Sequence, residues 1–274
     1  MRTLEGAETR AGEAPAELEP LRLDPGRAAI LLDVDGTLAA IVPSPDEAAV
    51  PDETRELLRR LAHRYALVAC VSGRRAVDAR RVVGLDELAY SGNHGFELLM
   101  PGDAEARPDP SLDGHHEDAP GFVASLDRAE LDRAGLQIED KGAIVALHWR
   151  SAPNEGEAES LASEIAAEAE WQGLIPHRGR KVLEIRPNVP INKGIAVAAL
   201  IPARPVDAAM YAGDDRTDLD AFEGIRTLRD DGILKAAVCV AVAAAEAPPE
   251  VAAAADLTVD GTDGFVALLR ALAV

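Results

Sequence analysis

The sequence predicts an α/β protein built on a parallel sheet, with a smaller α+β domain inserted into it. Three observations lead there. Residues 28–32, Ala28-Ala29-Ile30-Leu31-Leu32, form an uncharged apolar run that breaks at Asp33-Val34-Asp35-Gly36, as a buried parallel strand does where it enters a turn. Strand-like runs alternate with helical periodicity and end repeatedly in polar, glycine-flanked residues, which puts those residues at the carboxyl edge of an open sheet, where ligands bind. Between residues 101 and 120 the composition shifts to Pro, Asp, Gly and His, the mark of a linker and a domain boundary. The expected organisation is a flexible arm over residues 1–22, a core domain over 23–100 and 187–274, and an inserted cap over 101–186.

A chain of 274 residues, 47% hydrophobic, can bury a full core. The 28 Lys and Arg against 48 Asp and Glu give a net charge of −20, which argues against nonspecific nucleic-acid binding or an anionic membrane surface. A phosphorylated substrate must then be drawn in by local cations. Cys70 and Cys239 lie in apolar runs and read as buried reduced thiols. No apolar stretch reaches the roughly 20 residues that cross a bilayer. Residues 1–20 hold five Glu and no apolar signal core, so a cytoplasmic protein of open oligomeric state is expected.

Asp33 and Asp35, two residues apart on an extended segment, point the same way and repel unless a cation or a proton lies between them. A divalent metal answers that, and so does a turn Asp followed by a cap Asp. An EF-hand loop does not fit, because Gly36 is fourth from Asp33 rather than sixth and no Glu stands at the twelfth position. Residues 41–51 hold three prolines and form a loop, and Asp52 caps a helix to about residue 64 with Leu57, Leu58 and Leu61 on one face. The strand 66–71 ends in Ser72-Gly73-Arg74, which suits anion binding by a hydroxyl, a cation and backbone N–H groups, or a plain turn. A helix over 75–83 and a strand over 88–91 follow, the strand ending in Gly92-Asn93-His94-Gly95-Phe96-Glu97, where His94 reads first as a surface turn residue. His115-His116 reads as a solvated loop, since adjacent residues of a regular element face different ways.

The insertion has its own pattern: helices over 122–134 and 155–171, strands over 143–149 and 181–185. Its polar positions Lys141, His148, Arg150, Lys181, Glu184 and Arg186 alternate along strands, so a subset shares one face, functional or merely solvated. The chain then returns to α/β order with Asn192-Lys193-Gly194 opening a helix over 195–200. A Lys there opposes the helix dipole and wants an anionic partner. The strand 206–211 runs into Gly213-Asp214-Asp215-Arg216-Thr217-Asp218-Leu219-Asp220, where Asp214 and Asp215 precede the helix and need a reason other than capping. Strands over 237–242 and 257–259 and a helix over 264–272 close the sheet, and there is no repeat, Gly-x-Gly-x-x-Gly or Walker lysine loop. Four strand ends thus supply Asp33 and Asp35, Ser72, Lys193, and Asp214 with Asp215, a complete set for phosphoryl transfer.

Asp33-Val34-Asp35-Gly36-Thr37-Leu38, Ser72-Gly73-Arg74, Lys193 and Gly213-Asp214-Asp215 resemble the four signature motifs of the haloacid dehalogenase superfamily of Mg²⁺-dependent phosphatases, over about residues 28–272. Within it, Gly92–Glu97 as quoted above, Glu139-Asp140-Lys141 with His148-Trp149-Arg150, Val182-Leu183-Glu184-Ile185-Arg186-Pro187 and the stretch 213–222 resemble the trehalose-6-phosphate phosphatases. The resemblance implies a Rossmann-like core with a cap, and Mg²⁺ as cofactor. It implies Asp33 as nucleophile, Asp35 as acid and base, and Ser72 and Lys193 as holders of the phosphoryl oxygens. It also implies a metal set of Asp33, Asp35 through its carbonyl, Asp214 and Asp215, with Asp218 as a close supporting acid. For the sugar phosphate it implies contacts from Gly73, Arg74, Asn93, His94, Lys141, His148, Arg150, Lys181 and Glu184. Leu219 departs from the pattern, standing where an acid is usual after Asp218. Phosphatases of other sugar phosphates (sucrose phosphate, glucosylglycerate phosphate, an aminocyclitol phosphate) and a non-catalytic sugar-phosphate-binding regulator remain alternatives. Lys181 and Glu184, three apart on one strand, would need a bulge to reach the same sugar.

Overall fold

The uncharged run is strand β1 (Ala28–Leu32), and all five of its residues are buried. Ile30 and Leu32 join Leu57, Leu61, Phe265 and Leu269 on one side, while Ala29 and Leu31 join Val197, Phe222 and Ile225 on the other. A strand covered on both faces has no solvated side, which is why its sequence shows no polar alternation. The computed structural model of the chain describes residues 15–42, 45–179, 181–201, 205–244 and 247–274.

In chain order, a 3-10 turn leads into α1 (Glu19–Leu23), then β1, α2 (Asp52–Arg64), β2 (Leu67–Val71), α3 (Ala76–Val83), β3 (Ala89–Gly92), β4 (Glu97–Leu99) and the two-residue β5 (Arg107–Pro108). Next come α4 (Asp118–Ser125), α5 (Arg128–Ala134), β6 (Gln137–Asp140), β7 (Val145–His148), α6 (Glu155–Trp171), β8 (Ile175–Gly179) and β9 (Val182–Arg186). The last are α7 (Lys193–Leu200), β10 (Ala208–Gly213), α8 (Thr217–Asp230), β11 (Ala236–Ala243), α9 (Pro249–Ala254), β12 (Leu257–Asp260) and α10 (Gly261–Leu272). The first sheet runs β12-β11-β10-β1-β2-β3-β4-β5, with every pair from β12 to β3 parallel and the β3–β4 pair antiparallel. The second is β6-β7-β9-β8, antiparallel throughout. One face of it packs Val145, Leu147, Leu183 and Ile185 against Phe122, Leu131, Ala162 and Ile165 of the helices α4, α5 and α6. No helix among the described residues is long and apolar enough to cross a membrane.

Two compact units result, Met1–Arg107 with Ile191–Val274, and Pro108–Pro190. The sequence drew the insertion at 101–186. The segment after β4 stays with the first unit because Asp103 N–H turns back to the Met100 carbonyl and Arg80 reaches the Asp103 carbonyl. The arm expected over 1–22 is corrected in its described part: Leu18 and Leu21 are fully buried in the same apolar layer as Ile30. Residues 1–14 of that arm lie outside the described residues. Leu21→Ala is therefore expected to lower unfolding stability by roughly 2–5 kcal/mol, as deep Leu truncations do. A denaturation midpoint unchanged from wild type would show that the segment is not part of the folded core.

The helix expected over 122–134 is two helices, because Asp127 leaves the helical path and caps α5 by accepting from the Ala129 N–H. β6 and β8 had no sequence signature. Both are edge strands of the second sheet, polar or mostly exposed, and β8 carries Pro176, which an edge tolerates.

Candidate active site

β1 and β10 are neighbours, and their carboxyl ends bring Asp33 and Asp214 together; the Asp33 N–H donates to the Ala212 carbonyl at 2.9 Å. The third component arrives on a helix. Lys193 is the first residue of α7, whose N-cap is Asn192 accepting from the Ile195 N–H at 2.9 Å. Its buried ammonium donates to Asp33 Oδ1 and to Asp218 Oδ1, both at 2.7 Å. These are the anionic partners that a lysine in this dipole-opposed position needs. α7 and α8 come close enough for this because two glycines meet: a Cβ on Gly224 would lie 2.7 Å from the Gly194 carbonyl oxygen, and one on Gly194 would lie 2.3 Å from that of Asp220. Gly213 has a matching reason, since its Cβ would fall 2.1 Å from Cγ of Asp218.

Asp218 is fully buried and accepts four hydrogen bonds: Lys193 Nζ and Tyr211 OH on Oδ1, and the backbone N–H groups of Asp214 and Asp215 on Oδ2. Among the described residues, Asp33, Asp214 and Asp218 form the acidic cluster, with ligand atoms within 4.8 Å of one another. Three carboxylates around one ammonium leave two negative charges uncompensated. Burial, reinforced by the neighbouring carboxylates, pushes Asp33 well above the usual carboxylate range and Asp214 up to about 7. Burial alone would strip the proton from Lys193, but Asp218 and Asp33 outweigh it and keep the ammonium charged.

The residues fit a hard divalent cation. All donors are oxygens, the surplus charge matches Mg²⁺, and Gly36 lets the Asp214 carboxylate close onto the turn that follows Asp33, where a Cβ would lie 2.2 Å from Oδ2. The expected metal set changes in one member. Asp215 is exposed and spends Oδ1 on the N–H and hydroxyl of Thr217, capping α8, so it does not join the buried cluster. Asp35 turns its carboxylate to Arg74, which grips both oxygens at 2.6 and 2.8 Å.

Ser72 is buried at the end of β2, its Oγ accepting from the Arg74 N–H at 3.2 Å. The next motif holds this loop. Asn93 and His94 both adopt left-handed φ, +51° and +59°, and their N–H groups donate to the carbonyls of Arg74 and Ser72. Such a pair of non-glycine residues is strained and persists where surrounding bonds impose it. The His94 ring lies against Gly73, where a Cβ would be 2.7 Å from Nε2, and Glu97 Oε1 accepts from the Ala76 N–H at the start of α3. The sequence pattern 92–97 therefore shapes the Ser72–Arg74 loop.

In the second unit, Glu184 on β9 is buried and gathers cations: Lys141 Nζ donates to Oε1 at 2.9 Å, and Arg186 donates to Oε2 through both Nε and Nη2. His148 Nε2 meets Glu139 Oε2 at 2.8 Å. That bond and Lys141 overcome burial and hold Glu139 below its usual range. Lys181 is not in this group. Its φ is +58° and its ammonium pairs with Glu155 in the first turn of α6, so the bulge that would bring it beside Glu184 does not form. Arg150 is exposed in the turn after β7. Arg186, one of the polar strand positions named above, and Glu139 complete this group without having been singled out for sugar contact. Arg186 lies two residues beyond Glu184 on one strand and hence on the same face.

A family model for trehalose-phosphatase matches residues 31–262. The trehalose-phosphate phosphatase of Mycobacterium marinum is 34% identical over 246 residues, covering 81% of this chain and 60% of that protein. Two longer Mycobacterium tuberculosis relatives, described as uncharacterized glycosyl hydrolases, are 37% identical over 210 residues, 73% of this chain and 15% of their own length. The chain thus spans less than two thirds of these relatives. Among solved structures, a trehalose-6-phosphate phosphatase related protein superposes with a TM-score of 0.64 at 26% identity, covering 88% of this chain and 95% of that one. A haloacid dehalogenase-like hydrolase from Bacteroides thetaiotaomicron shares the fold, with a TM-score of 0.58 at 18% identity over 89% of this chain and 98% of its own. With 232 residues inside the family match and the acids, lysine and glycines of its motifs gathered at one sheet edge, the chain belongs to the trehalose-phosphatase family.

Proposed function

We propose that the chain hydrolyses trehalose 6-phosphate to trehalose and phosphate with Mg²⁺ as cofactor. The observation that carries the reading is the Asp33–Lys193–Asp218 bridge beside Asp214: a nucleophilic carboxylate held by a buried cation, in a cluster with two surplus negative charges. Family membership and the trehalose-phosphate phosphatase relatives support the substrate.

In this reading an Asp33 oxygen attacks phosphorus, the bond from phosphorus to the sugar oxygen breaks, and Asp35 gives that oxygen a proton. Water then attacks the aspartyl phosphate, Asp35 takes its proton, and the bond from phosphorus to Asp33 breaks to release phosphate. One Asp35 oxygen must first leave Arg74 to carry the proton. Ser72 Oγ and Lys193 Nζ hold the non-bridging oxygens. Asp33, Asp214 and the Asp35 carbonyl would hold Mg²⁺, which when bound neutralises charge on the phosphoryl group.

The direct test is phosphate release from a panel of sugar phosphates, with Mg²⁺ and with the metal chelated. Turnover is expected to need the metal and to favour trehalose 6-phosphate; a clear preference for sucrose phosphate or another sugar phosphate would reassign the substrate. Asp214→Asn is expected to raise the Mg²⁺ concentration for half activity, because it removes a charged oxygen from a site with few protein ligands. An unchanged metal titration would put the ion elsewhere.

Sugar recognition is assigned to Glu184 with Lys141 and Arg186, since sugar hydroxyls require fixed polar groups. Truncating Glu184 to Ala would leave two cations facing each other, so Glu184→Gln is the cleaner variant. It is expected to cut kcat/KM for trehalose 6-phosphate about tenfold or more while a small aryl phosphate changes little. Equal losses on both substrates would make Glu184 a structural residue.

A further inference from the structure

We propose that Tyr211 is a positioning residue of this site: its hydroxyl fills the last acceptor position of Asp218 and so fixes the carboxylate that aims Lys193 at Asp33. The inference rests on the phosphatase reading above and extends it to a side chain that touches neither phosphate nor metal. A carboxylate offers about four acceptor positions. Asp218 has four donors, Lys193 Nζ and Tyr211 OH at 2.7 Å on Oδ1 and two backbone N–H groups at 2.9 Å on Oδ2. The backbone pair fixes Oδ2 to the Asp214 loop. Tyr211, fully buried on β10, fixes Oδ1 from the sheet, and its ring is steadied edge-on by Phe222 at a centroid distance of 6.0 Å. Burial and Asp218 push the phenol well above its usual range, so it remains a donor.

A carboxylate with every acceptor position taken has none to give a cation. Asp218 therefore orients Lys193, although it lies within the three-acid cluster. The division matters because, among the described residues, Lys193 is anchored by Asp33 and Asp218, and Asp33 loses its negative charge once it carries the phosphoryl group. Asp218 is then the carboxylate that still holds the lysine.

Tyr211→Phe keeps the ring and deletes the bond. It is expected to lower kcat about tenfold on trehalose 6-phosphate and on an aryl phosphate alike, the loss typical of one hydrogen bond to a charged group. KM and the Mg²⁺ half-saturation are expected to stay near wild type. Binding of inorganic phosphate in the presence of Mg²⁺, read by calorimetry, is expected to weaken several-fold. Phe265→Leu, a truncation in the apolar layer on the opposite face of the sheet, is expected to lower the melting temperature without lowering kcat per folded molecule. A Tyr211→Phe protein with wild-type kcat overturns the proposal, and so does a loss matched by a raised Mg²⁺ requirement, which would make Asp218 a ligand. If Tyr211→Phe does not fold, the slowly exchanging downfield proton of a buried hydroxyl on a carboxylate is followed in the wild type, and a resonance that ignores phosphate overturns the proposal. A wild-type protein that hydrolyses no phosphate ester defeats the phosphatase reading by itself, and the phosphate-binding comparison still decides the role of Tyr211.

Discussion

Asp33→Asn is expected to abolish turnover and to leave the metal-free protein at least as stable as wild type. The first half follows from chemistry, because an amide oxygen cannot form the aspartyl phosphate. The second follows from the charge count. The wild-type cluster sets three buried carboxylates against one ammonium, so deleting the Asp33 charge relieves repulsion, and Lys193 keeps Asp218 as its counter-ion. The Asn side-chain oxygen can still accept from Lys193. Phosphate release and thermal melting in chelator check both halves. Activity above a small percentage of wild type, in protein free of contaminating phosphatase, removes Asp33 as nucleophile. A marked drop in melting temperature would mean that the Asp33–Lys193 pair is a net structural bond despite the surplus charge.

Asp35→Asn is expected to cost roughly 10²–10⁴-fold on trehalose 6-phosphate, the range for loss of a general acid or base. A sugar alkoxide is a poor leaving group and needs a proton as the bond breaks. An aryl phosphate, whose leaving group is stable as an anion, is expected to lose much less in the first half-reaction. Equal losses on both substrates would sink the acid role. The structure adds a control, because Asp35 is also the carboxylate that Arg74 grips. Arg74→Ala releases Asp35 without removing it, so it separates the proton-transfer role from simple repair of the Arg74 pair.

Most of the active centre was legible because its members sit where a strand or helix begins or ends, and those breaks are marked by Asp-Gly, Ser-Gly and Gly-Asp-Asp in the sequence. The distinction between Asp215 and Asp218 was not legible. Four acidic residues lie within 214–220, and which of them turns inward depends on where α8 starts; Asp215 spends its carboxylate capping that start, and Asp218 falls one residue inside it. The Arg74–Asp35 grip was also hidden, since a long side chain can reach several places and spacing does not choose among them. In the second unit, Lys181 and Glu184 looked like a pair on composition, but Lys181 falls in the left-handed turn before β9 and pairs with Glu155, off the strand that carries Glu184. Edge strands β6 and β8 left no apolar pattern because they have little to bury. The core leucines Leu18, in the 3-10 turn before α1, and Leu21, within α1, were disguised among Ala, Glu and Pro.

The bare contact between Gly194 and Gly224 determines how this site tolerates change. Side-chain interfaces absorb substitutions by repacking, but here main chain lies on main chain, and a hydrogen atom is the whole spacer. Any added carbon at either position becomes a shim that lifts the α7 start, with its lysine, away from Asp33 and Asp218. Drift elsewhere in the hydrophobic layers can be compensated by neighbours, whereas at these two positions it converts directly into distance at the reacting centre. The spacing of the nucleophile and its cation is thus calibrated by two residues that have no side chain.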